Sequence, residues 1–61
     1  MSILWWGYIH NNGSIQVKRY FDPTDINEAR ASPFVRGVTG PFYATGREDA
    51  AEKATAAFNL D

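Results

Sequence analysis

The side chains able to do acid-base or nucleophilic chemistry are few and scattered. His10 is the single histidine, and it lies between an apolar run and the turn-forming Asn11-Asn12-Gly13. An imidazole there has no nearby nucleophile to activate, so it reads as a polar residue flanking a turn and not as a general base. Ser2, Ser14 and Ser32 lack the setting of a nucleophile elbow or triad. Glu48, Asp49 and Glu52 read as the charged face of a helix, and Gly37, Gly40 and Gly46 form no phosphate-cradling loop with a lysine. The chain has no cysteine and no second histidine, which excludes zinc sites built on thiolate or paired imidazole. The expectation is a protein that is not an enzyme and holds no cofactor or metal.

What remains is the chemistry of recognition. Trp5, Trp6 and Tyr8 stand in one run, and Lys18, Arg19 and Tyr20 in another. Aromatic side chains of this kind anchor protein interfaces, because each buries a large area at little entropic cost. Positive charge interleaved with aromatics on a sheet is also how single-stranded nucleic acid is stacked and held. Six Lys and Arg against seven Asp and Glu give a net charge of -1, so no surplus field attracts phosphates. The protein-binding reading therefore leads and nucleic acid is the alternative.

These residues are positioned by short elements. Leu4 to Ile9 is rich in aromatic and β-branched types and predicts a strand, and Ser14 to Phe21 alternates polar with apolar as a half-buried strand does. Asn12-Gly13 between them predicts a hairpin, since both residues tolerate positive φ. Asp22-Pro23 is a helix start, with Asp22 as N-cap, and Pro33 forces the end near Ala31. Phe34 to Tyr43 predicts a third strand, which Pro41 makes an edge or bulged one. Thr45 to Glu48 fits a capping box, in which Glu48 reaches back to Thr45. A second helix then runs from about Gly46 to Phe58 with Ala50, Ala51, Ala54, Ala57 and Phe58 on one side. The class is α+β, ordered ββαβα: a three-stranded antiparallel sheet with two helices packed on one face.

Hairpin register decides which aromatics stay outside. A two-residue turn pairs Tyr8 with Val17 and Trp6 with Arg19, leaving Trp5 beside Tyr20 outside; this is the preferred reading. A three-residue loop Asn11-Asn12-Gly13 with a left-handed glycine shifts the pairing by one and leaves Leu4, Trp6, Tyr8 and Tyr20 outside instead. Either arrangement strands an apolar patch in water, which a monomer seldom keeps without a use. A chain of 61 residues makes a single small domain, 1–61, and buries only about 60% of its unfolded surface, so self-association as a homodimer is a further expectation. The longest apolar run, Ile3 to Ile9, is too short for a membrane span and follows no basic segment, which points to the cytoplasm.

Trp6-Gly7-Tyr8-Ile9-His10, Asn12-Gly13-Ser14-Ile15-Gln16-Val17-Lys18-Arg19-Tyr20-Phe21, Ser32-Pro33-Phe34-Val35 and Gly40-Pro41-Phe42 together resemble a family of very small proteins encoded in bacteriophage and prophage genomes. The resemblance covers most of the chain and brings no catalytic motif. It implies an accessory role: small phage proteins of this kind often inhibit a host protein, antiviral defence systems included, by direct binding in the host cytoplasm.

Overall fold

The hairpin closes through three residues. His10 donates its N–H to the Ser14 carbonyl at 2.8 Å, and Gly13 donates to the His10 carbonyl at 2.9 Å. Gly13 takes φ 93°, a left-handed conformation open to glycine, and the Asn12 side chain accepts from the Ser14 N–H at 2.9 Å. In the computed structural model, which describes residues 1–59, the elements are β1 (Ile3–His10), β2 (Ile15–Arg19), α1 (Pro23–Ala31), β3 (Val35–Ala44) and α2 (Arg47–Phe58). The sheet is antiparallel with the order β2-β1-β3, so the aromatic strand is central and both its neighbours are edges.

The pairing is Trp5 with Arg19, Trp6 with Lys18, Gly7 with Val17 and Tyr8 with Gln16. This is the register of the three-residue loop, and it corrects the preference for a two-residue turn. The cause lies in β2. Its apolar Ile15 and Val17 join Trp5 in the core, while Gln16 and Lys18 fall on the opposite face. A slip of one residue would exchange the two sets.

The α+β class, the ββαβα order and two helices packing on the sheet match the expectation. The helices divide between the two faces, however, and do not share one. α2 lies on the face that carries Trp5, Gly7 and Ile9, where Ala44, Ala50 and Ala54 are fully buried and Phe42 and Phe58 complete the cluster. The approach is close because the contact is glycine on alanine: a Cβ at Gly7 would stand 3.1 Å from the Ala54 Cβ. α1 lies on the other face, burying Ile26 and roofing Trp6. Each face of the sheet thus buries one tryptophan, Trp5 under α2 and Trp6 beneath α1.

The helix starts differ in kind. α1 begins as expected, with the Asp22 carboxylate accepting from the Thr24 N–H at 2.8 Å and Pro23 opening the first turn. α2 has Gly46 as N-cap with no side-chain cap bond, and the acid that reaches back is Asp49 and not Glu48. Asp49 Oδ2 accepts from the Thr45 N–H at 2.9 Å and from its hydroxyl at 3.3 Å. In β3, the Gly40-Pro41 peptide is cis and a register shift opens opposite Trp6, which matches an edge strand bulged at its proline.

Candidate docking face

Leu4, Trp6, Tyr8 and His10 alternate out of β1 on the face away from α2. Their rings follow one another along the strand: Trp6 and Tyr8 centroids are 5.5 Å apart, and Tyr8 and His10 centroids 6.2 Å. α1 crosses this face and stops short of closing it. Between helix and sheet runs a groove of about 380 Å³ with Trp6 as floor. Tyr8, His10 and Lys18 line its sheet side, and Asp25 and Glu28 its helix side.

The ends of the groove are held by specific contacts. Asn11 Nδ2 donates to the Pro33 carbonyl at 2.7 Å, and the Asn11 N–H donates to the Phe34 carbonyl at 3.0 Å. These bonds tie the hairpin tip to the segment after α1 and fix Phe34, 65% exposed, at the groove's rim. At the other end of the face the Tyr20 N–H donates to the Leu4 carbonyl at 3.0 Å, extending the β2 ladder, and Leu4 pairs with Tyr43 on β3. Tyr20, just past the end of β2, thus lies beside Leu4 and Leu4 beside Tyr43, which is 63% exposed.

The six candidate binding residues separate. Tyr8 and Lys18 stand on this face beside Trp6, and Tyr20 is bonded to Leu4 at its far end. Trp5 and Trp6 are 6% and 2% exposed, so neither is a free anchor, a correction that follows from the register and from a helix on each face. The indole N–H groups of both are buried and find no acceptor among the described residues. Arg19 lies on the opposite face from Lys18, with its Cζ 5.3 Å from the centre of the Phe21 ring. The basic pair therefore does not present one surface. Phe34 and Tyr43 were not singled out from sequence as binding residues. The signal for Phe34 was the Pro33 that ends α1, and for Tyr43 its place two residues after Pro41 on an edge strand. Among the described residues no group of three or more acidic or imidazole side chains is placed to share a metal, and no helix is long and apolar enough to cross a membrane.

No protein-family model, no curated protein and no solved structure matches this chain.

Proposed function

We propose that this protein is a non-enzymatic binding module that docks a partner protein on the Trp6 face of its sheet. The observation that carries the reading is the aromatic surface left there: exposed Tyr43 and Phe34 with half-buried Tyr8 and Tyr20, Tyr8 and Phe34 lining a groove, on a face that α1 covers only in part. Exposed aromatics around a preformed groove are the usual anchors of a protein interface. The bacteriophage resemblance supplies the setting we propose, an inhibitor of a host antiviral defence protein acting by direct binding in the host cytoplasm. A homodimer through the same face would bury the same rings, so self-association and partner binding compete. The nucleic-acid alternative is weakened by the separation of Lys18 from Arg19 and by the carboxylates of Asp25 and Glu28 across the groove from Lys18.

The test is affinity purification of tagged protein from nuclease-treated bacterial lysate, comparing wild type with a Tyr43→Ser/Phe34→Ser double variant. Both positions are exposed, so the variant folds, which circular dichroism checks. A stoichiometric host protein retained by wild type and lost from the variant is the expected result. Equal retention by both would reject this face. Oligonucleotide binding that falls steeply with salt and with Lys18→Gln would favour the alternative.

A further inference from the structure

Both edges of this sheet are closed by basic side chains of one helix, and we infer that Arg47 is the gate that keeps β2 from pairing with a second copy of the chain.

The ladder alternates. His10 and Leu4 exchange their backbone bonds with Ser14 and Tyr20, so the even-numbered residues of β2 face β1, and Ile15, Val17 and Arg19 turn their N–H and C=O groups outward. The Val17 carbonyl, at the midpoint of that outward row, accepts from Arg47 Nη1 at 3.3 Å. The guanidinium is placed there by α2, where its Cζ lies 6.0 Å from the Trp5 ring centre. On the other edge the outward carbonyl of Tyr43 accepts from Lys53 Nζ at 2.7 Å, and two residues earlier Pro41 has no N–H to offer. The β3 edge therefore carries two obstacles and the β2 edge one.

An unguarded β2 suits self-pairing. An antiparallel partner centred on Val17 would set Val17 against Val17, Gln16 against Lys18 and Ile15 against Arg19. No like charges would then oppose one another directly. The obstacle at that centre is the Arg47 bond to the Val17 carbonyl. Because the β3 edge stays closed, association through β2 stops at two chains.

Arg47→Met keeps the aliphatic stem against Trp5 and removes the donor, and Arg47→Lys restores a donor. Two measurements are made on each: sedimentation velocity across a concentration series, and amide hydrogen exchange at Val17. In wild type the Val17 amide points outward and exchanges fast. In Arg47→Met we expect concentration-dependent dimers and a Val17 amide slowed roughly tenfold or more, while Arg47→Lys and Lys53→Met behave as wild type. A dimer through the Trp6 face would change the mass without protecting Val17, so the two modes of association are told apart. Protection of Val17 in wild type, an unprotected Val17 in Arg47→Met, or equal association by Lys53→Met would each overturn the gate. If Arg47→Met does not fold, the wild-type exchange rate and the Arg47→Gln variant, which tests partial loss of the donor, decide it by the same readout.

Discussion

At the scale of single residues, Asp49 does more than any other charged group among the described residues. Its carboxylate accepts from the Thr45 N–H and hydroxyl and pairs with Lys53 at 3.2 Å, while Lys53 also donates to the Tyr43 carbonyl. The end of β3 and the first turn of α2 are thereby joined by one carboxylate. The Thr45 N–H bond, then the bond from Lys53, hold the Asp49 carboxyl below its ordinary value of 3.8. A lowered carboxyl contributes stability that is present above its unfolded value and is lost as pH falls through the folded one. Asp49→Asn should therefore flatten the decline of melting temperature between about pH 5 and pH 2, measured by thermal melts at several pH values. An unchanged acid slope would assign that decline to other carboxylates. Thr45→Ala keeps the N–H that matters and loses only the longer hydroxyl contact. We expect it to cost under about 0.5 kcal/mol in chemical denaturation, with Asp49→Ala the more damaging of the two. The capping signal read from the sequence names Glu48, three residues after Thr45; because the helix starts at Arg47 with Gly46 as N-cap, the third helical position falls to Asp49 instead.

At the scale of elements, the spacing of α2 from the sheet is set by Gly7. A methyl group there would meet the Ala54 Cβ at 3.1 Å, the Gln16 carbonyl oxygen at 3.1 Å and Val17 Cγ1 at 3.2 Å. Two of those neighbours are a helix side chain without freedom to move and a backbone atom of β2. Gly7→Ala should accordingly destabilise by about 1–3 kcal/mol through overpacking, read as a lower denaturation midpoint at unchanged slope. A neutral result would mean that α2 is free to lift. At the start of α1, Asp22→Ala should cost about 1 kcal/mol through loss of its bond to the Thr24 N–H. These elements were legible in the sequence because their signals are local: Asn12-Gly13 for the hairpin, Asp22-Pro23 and Pro33 for α1, the alanine spacing for α2. The register was not legible. Asn11-Asn12-Gly13 is compatible with either loop length, and the choice rests on which side of β2 meets α2, a contact between residues some 40 positions apart. The same non-local contact decides which face each helix takes, and local patterning carries no record of it.

At the scale of the whole molecule, both tryptophans are buried in the core, while Tyr43 is exposed and Tyr8 and Tyr20 are half-buried. A domain of 61 residues has a stability of roughly 3–9 kcal/mol at the usual 0.05–0.15 kcal/mol per residue. Truncating a buried tryptophan to alanine costs about 3–5 kcal/mol, which is much or all of that margin. Trp5 and Trp6 also bury indole N–H groups that find no acceptor among the described residues, at about 1–3 kcal/mol each. What they contribute to stability is therefore packing area, and it is lost entirely on truncation. Trp5→Ala and Trp6→Ala should unfold the protein, seen as loss of near-ultraviolet dichroism and of dispersed amide resonances. A loss of partner binding in either would then say nothing about the interface. Tyr43→Ala removes a ring that is 63% exposed and should leave the melting transition within a few degrees of wild type. If the Trp6 face is the docking surface, Tyr43→Ala loses the partner while keeping the fold, and Phe21→Ala, which removes an exposed ring stacked against Arg19, keeps both. Isothermal titration of the recovered partner against the two variants decides the matter. Loss of affinity in Phe21→Ala with full affinity in Tyr43→Ala would move the interface to the edge of the sheet where Arg19 and Phe21 lie.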